Sequence, residues 1–165
     1  MSKFLGFWGP HQKNGFMCQW YDSIFNVNGV KYSCCEQYMM AKKAELFNDE
    51  KIRIQIVNTH NPKTVQRLGR KVKNFNETIW KNKRFGIVCD GNYAKFSQNK
   101  DLKTLLMGTG QKTLVEGSPY DLIWGIGLKV SDPNFSNPSK WRGQNLLGKA
   151  IMQVRDKLRE EDELA

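Results

Sequence analysis

"SCCEQYMMAKKAELF", residues Ser33 to Phe47, is the stretch on which the reading of this chain turns. Ser33 stands three residues before Glu36, the spacing of a capping box, in which two side chains satisfy backbone N–H groups at a helix start. A run of good helix formers follows to about Phe47. On such a helix Glu36 and Lys43 are two turns apart, about 20° out of register and roughly 10 Å apart along the axis. Helical side chains lean toward the N-terminus, so Lys43 reaches back toward the turn that carries Glu36. Two readings fit: a capping glutamate with a surface lysine, or an acid/base or nucleophile pair bridged by a ligand.

Outward from that helix, the pattern is mostly helical. Upstream, "GPHQKNGF" reads as a loop, and the segments around Trp20 to Phe25 and Val30 to Tyr32 flank Asn28-Gly29, a pair suited to a tight hairpin turn. Downstream, Ile52 and Ile56 recur at helical spacing, and Asn61-Pro62 supplies a cap followed by proline at the first helical position. Further helices are expected over about Ile79 to Phe96 and Asp101 to Met107, and a short strand over Lys112 to Glu116. Ser118, Pro119 and Asp121 suit either a short helix or a turn. A long polar loop runs to Lys140, and a last helix from near Asn145 shows Leu147, Ile151, Val154 and Leu158 on one stripe. The fold class is α+β, mainly helical, in one domain with a core over about residues 7–158 and an acidic tail over 159–165.

Composition narrows the chemistry. The 165 residues carry 26 Lys and Arg against 16 Asp and Glu, a formal charge of +10 that favours anionic partners such as nucleotides or nucleic acid. Cys18, Cys34, Cys35 and Cys89 have neither zinc spacing nor disulfide density and read as buried reduced thiols. No apolar run approaches the ~20 residues of a membrane span, so the expectation is a soluble intracellular protein, cytoplasmic with the nucleus as the alternative. A phosphate loop, a dinucleotide fingerprint and a His-Glu-x-x-His motif are all missing, and His11 and His60 sit in no motif. Any enzyme here runs on carboxylates and lysines.

A second group of residues lies in "AKFSQN", "LVEGSPYDLIWGIG" and "WRGQNLLGKA". Each mixes aromatic or apolar residues with an ionisable or amide side chain beside glycine, as suits a backbone closely approached by a ligand. Lys95, Glu116, Asp121, Trp124 and Asn145 are the candidates, each with a plainer role open: Asn145 as a cap, Trp124 as core, Asp121 as a helix-start charge.

These stretches, with "CQWYDSIFNVNGVKYSCCEQYMMAKKAELF" and "LLMGTG", together resemble the NADAR family (NAD- and ADP-ribose-associated) in order and spacing, from about Phe7 to Leu158. The resemblance implies a compact, mainly helical α+β domain with N-glycosidase activity and no metal or other cofactor. One group of members cleaves phosphoribosyl-pyrimidine intermediates of riboflavin synthesis, and another removes ADP-ribose from guanine in nucleic acid. The family pattern puts its acidic residue at Glu36 and its lysine at Lys43 rather than Lys42, and also covers Lys95, Glu116, Asp121, Trp124, Gly125 and Asn145. Two departures stand out. Asp22 and Ile24 replace frequent prolines, and Glu36-Gln37-Tyr38 stands where many riboflavin-type members have Glu-His-Tyr, which shifts the balance toward the guanine group.

Under that resemblance Glu36 transfers a proton or stabilises the sugar cation, Lys43 captures an opened sugar as a Schiff base or binds phosphate, and Asp121 is a second acid or base. Trp124 is a stacking surface, Trp20 and Phe96 are pocket walls, and Tyr38, Glu116, Gly125 and Asn145 complete the substrate contacts. Lys95 and Arg142 are placed on phosphate. The leading reading is removal of ADP-ribose from modified guanine in DNA or RNA, favoured by the charge and by Gln37. The alternatives are the riboflavin-intermediate enzyme and a binding module without turnover.

Overall fold

The first helix, α1 (Cys35–Leu46), begins one residue later than a cap at Ser33 requires. The computed structural model, which describes residues 2–165, shows why. Cys34 occupies the cap position in extended conformation with no side-chain cap bond. The side chain that reaches back from the third helical position is that of Gln37. Its Oε1 accepts from the Ser33 backbone N–H at 2.7 Å and the Ser33 hydroxyl at 3.1 Å. The expected Ser33–Glu36 capping box is thereby corrected to a Ser33–Gln37 lock, and Glu36 is not the residue that closes the helix start.

The chain folds as two compact units, Asp22–Asn99 and the stretch up to Tyr21 together with Lys100–Ala165. In the unit of residues 22–99, β2 (Phe25–Val27) and β3 (Val30–Tyr32) form the antiparallel hairpin, with Asn28 at φ 51° and Gly29 at φ 81°. Two successive positive φ values are what a two-residue hairpin turn demands, and Asn-Gly is the pair that adopts them at least cost. Then come α1, α2 (Glu50–Val57), α3 (Pro62–Gly69) and α4 (Glu77–Gln98). Local signals set each start: Asp49 accepts from Ile52 N–H, Asn61 from Lys63 and Thr64 N–H, and Asn76 from Ile79 N–H. Helix α4 extends two residues beyond the expected span at each end because the Asn76 cap precedes it and Asn99 follows it. The core of this unit gathers Phe25, Tyr32, Tyr38, Met40, Phe47, Ile56, Val65, Val88 and Phe96.

In the other unit, residues Phe4–Phe7 form β1, a strand the sequence did not announce. It pairs in parallel with β4 (Thr113–Glu116), with Phe4 opposite Thr113 and Phe7 opposite Glu116. Parallel strands need a long connection, and here it is most of the chain. Helix α5 (Lys100–Met107) precedes β4. Helix α6 (Leu146–Leu164) packs Leu147, Ile151, Val154 and Leu158 inward and carries the acidic tail as its exposed last turns rather than as a separate segment. Ser118 to Trp124 is turn, not helix. Val115, Ile126, Leu128 and Phe135 form a buried cluster against which Phe4 and Trp141 pack, and the Trp141 indole N–H donates to Phe135 O at 2.8 Å. No helix among the described residues is long and apolar enough to cross a membrane.

Candidate functional site

Helix α1 presents Glu36 in its first turn and Lys43 in its last. Glu36 is 4 % exposed, so this carboxylate lies within the protein and not on a solvated face. Lys43 is half-buried, with its Nζ 4.8 Å from the centre of the Phe75 ring and 5.6 Å from that of Trp80. Burial lowers the Lys43 pKa from the ordinary lysine value, and the like charge of Arg70 adds to the effect; the negative charges of Glu36 and Glu77 oppose it. Glu36 and Lys43 thus feel each other across the two turns, as their spacing requires.

Other candidates in residues 22–99 are placed by α1 and α4. Lys95 is fully buried with Nζ 5.0 Å from the Phe96 ring centre, and Phe96 is itself fully buried. Lys95 and Glu36 both act electrostatically on the Cys34 thiol, whose pKa burial raises above the ordinary value. Tyr38 is a core ring, edge-on to Tyr32 at 5.1 Å and tilted against Phe25 at 6.1 Å, with its hydroxyl pKa raised by burial. Lys42 takes a different direction from Lys43: it pairs with Glu45 at 3.1 Å. The thiols at positions 18, 34 and 35 are buried, while Cys89 is half-buried with its pKa pushed up to about 11 by burial and Asp90.

Gln37 is the residue whose meaning the structure changes most. It is 1 % exposed. Its Nε2 donates to Ile56 O at 3.0 Å and Thr59 O at 2.8 Å, while Oε1 holds Ser33. An amide engaged at both ends in joining α1 to the end of α2 says nothing about substrate, so the preference for the guanine group drawn from Gln37 falls away.

The remaining candidates lie in the other unit. Asp121 Oδ1 accepts from Ile123 N–H at 2.9 Å and Trp124 N–H at 2.8 Å, and Ser118 Oγ accepts from Asp121 N–H at 3.2 Å. The carboxylate therefore shapes the turn that carries half-buried Trp124, and no helix dipole is involved. Asn145 sits at the cap position of α6 with φ 54° but makes no cap bond. Its Oδ1 accepts from Glu116 N–H and its Nδ2 donates to Leu114 O, each at 3.0 Å, which fixes the end of β4 and hence the backbone of half-buried Glu116. Gly125 is packed so closely that an added Cβ would lie 2.9 Å from Ser118 Cβ and 3.1 Å from Glu116 O. Arg142 is exposed, with its N–H on Ile126 O, and Trp20 is half-buried with its N–H on Cys18 Sγ. Sequence reasoning did not single out Phe75, Trp80 or Arg70. The available signal was the stretch between Glu50 and Glu77, which has no acidic residue at all and places an aromatic amid lysines and arginines.

Comparison with known proteins gives the family and the fold. Residues 6–159 match the NADAR domain. The chain is 42 % identical to N-glycosidase R617 of Acanthamoeba polyphaga mimivirus, covering 94 % of this chain and 96 % of that protein. It is 27 % identical to Riboflavin biosynthesis protein VVA0006 of Vibrio vulnificus over 97 % of this chain, but only 40 % of that longer protein. The NMR structure of the E. coli protein YbiA superposes with a TM-score of 0.81 at 26 % identity, covering 98 % of this chain and 89 % of that one.

Proposed function

This chain belongs to the NADAR family and is a hydrolase of N-glycosidic bonds, and on that premise we propose that it removes ADP-ribose from ADP-ribosylated guanine in nucleic acid. The observation that carries the choice is charge: a formal +10 overall, with the acid-free stretch 51–76 in the same unit as Lys43. A polyanionic substrate is drawn to such a surface.

In this reading a buried carboxylate and a partly desolvated amine divide the chemistry. The ribosyl ring opens as its C1′–O4′ bond breaks, O4′ takes a proton and C1′ becomes an imine on the guanine nitrogen. The neutral Lys43 amine adds to C1′, and the guanine amine departs with a proton supplied through Glu36, leaving an imine between C1′ and Lys43 Nζ. Water adds to that carbon, the C1′–Nζ bond breaks, and ADP-ribose leaves with its aldehyde free to reclose. A lysine with a lowered pKa supports this assignment, because only the neutral amine is a nucleophile. Of the residues expected at the site, Asp121, Trp124, Trp20 and Arg142 belong to the other unit, where Asp121 shapes the turn that carries Trp124. Lys95 and Phe96, fully buried in the same unit as Lys43, and Tyr38, a core ring of α1 itself, serve as framework.

The second reading, hydrolysis of phosphoribosyl-pyrimidine intermediates, is favoured by the similarity to the Vibrio protein named for riboflavin biosynthesis. Purified protein incubated separately with ADP-ribosylated-guanine DNA and with the aminopyrimidine ribosyl phosphate separates the two. ADP-ribose release from the first is the expected result. Sugar release from the second alone would establish the other reading, and release from neither, with ADP-ribose still bound, would make the protein a binding module.

A further inference from the structure

The loop between α3 and α4 holds a feature that goes beyond the field Arg70 exerts on Lys43. Arg70, Lys71 and Lys73 are exposed, and none of the ion pairs among the described residues involves them. Two residues on, Phe75 is 42 % exposed, an unusual position for a large aromatic ring. It is not loosely held: Phe47 packs edge-on at 5.4 Å, and the Lys43 ammonium lies 4.8 Å from its centre. The loop backbone is pinned as well, because Lys73 N–H donates at 2.9 Å to Asp49 Oδ2, the same carboxylate whose other oxygen caps α2. A fixed, partly solvent-exposed aromatic beside a row of exposed cations is the composition of a single-strand platform, with the ring for a base and the cations for phosphates.

We propose that the Arg70–Phe75 loop is a docking surface for a single nucleic-acid strand, with Phe75 stacking on a base and Arg70, Lys71 and Lys73 on successive phosphates, so that the strand passes beside Lys43. This deepens the reading of the substrate as polynucleotide and rests on it for its purpose. Charge complementarity commits the surface to a polyanion, and the flat exposed ring favours unpaired bases over a duplex, whose bases are already stacked.

Binding of an unmodified fluorescent single-stranded oligonucleotide tests the surface apart from any turnover. The parent protein should bind it with a steep salt dependence and should bind the matching duplex more weakly. Arg70→Gln/Lys71→Gln/Lys73→Gln, checked for an unchanged melting transition, should weaken binding at least tenfold and flatten the log–log salt slope by about 0.7 for each phosphate no longer neutralised. Lys71→Arg/Lys73→Arg should bind like the parent. Phe75→Leu should weaken binding roughly fivefold or more, and Phe75→Trp should retain it and show quenching of the new indole by the strand. Equal binding by the parent and the triple Gln variant, no binding by the parent, or preference for the duplex would each overturn the proposal. Failure of ADP-ribose release alone would instead count against the proposed reaction and leave the binding result standing.

Discussion

Lys43 is where the chemistry is most exposed to test. Burial and Arg70 lower its pKa, whereas Glu36 and Glu77 hold it up. If the neutral amine is the nucleophile, kcat/KM climbs with pH through that lowered pKa, and the acidic limb lies below where a solvated lysine would put it. Removing a charge should move the limb in a direction fixed by its sign. Glu36→Gln takes away a negative neighbour, so the limb of its residual activity shifts to lower pH, while Arg70→Gln takes away a positive one and shifts it up. Profiles of log kcat/KM against pH for the three proteins check this, and limbs that coincide would remove Lys43 from the titration. Glu36→Gln should also lose about 10²–10⁴ in kcat as a folded protein, since proton transfer is worth about that much. Borohydride added during turnover should attach substrate-derived mass at Lys43; full turnover without trapping would exclude the imine.

At the scale of elements, two amides hold the candidate residues in place, and both are legible only once the fold is known. Gln37 joins the start of α1 to the carbonyls of Ile56 and Thr59, and its replacement strands several buried backbone groups. Gln37→His should therefore lower stability by about 2–4 kcal/mol, read from the urea midpoint, and leave the ratio of activities on the guanine and pyrimidine substrates unchanged. A reversed ratio would restore the residue to substrate choice. Asn145→Ala loses both bonds to β4 at a positive φ that alanine tolerates poorly, and should destabilise by a similar amount. The sequence made visible whatever is local: the Asn61-Pro62 helix start, the Asn28-Gly29 turn and the Glu36–Lys43 spacing, all set by neighbours a few residues apart. It did not show β1, a four-residue strand whose partner begins only at Thr113, with the whole of the other unit between them in sequence. Nor did it show that Glu36 is not the cap, because Ser33 can be satisfied equally by Gln37, and only the carbonyls ending α2 decide between them. Phe75 escaped for the same reason: its role comes from Lys43 and Phe47, which meet it only in the folded unit.

For the molecule as a whole, the decisive quantity is how its charge is divided. The stretch between Glu50 and Glu77 is wholly free of acid, whereas Glu160, Glu161, Asp162 and Glu163 are gathered on the last turns of α6. Those four contribute little to the fold: they are exposed, and the ion pair that Asp162 makes with Lys103 at 2.6 Å is a surface pair worth about 0.2–1 kcal/mol. Their negative field, however, opposes the approach of any polyanion. Replacing all four by Gln raises the formal charge from +10 by the four negative charges removed. For a nucleic-acid substrate the variant should show a higher kcat/KM at low ionic strength, converging on the parent as salt shortens the Debye length to about 10 Å near 0.1 M. kcat should stay the same, because only encounter is altered. A small phosphoribosyl substrate, with far fewer charges to steer, should respond much less to the same change. A salt series on both substrates with both proteins therefore reads out the substrate class from electrostatics alone, and an equal, salt-insensitive response to the two would argue against a polynucleotide.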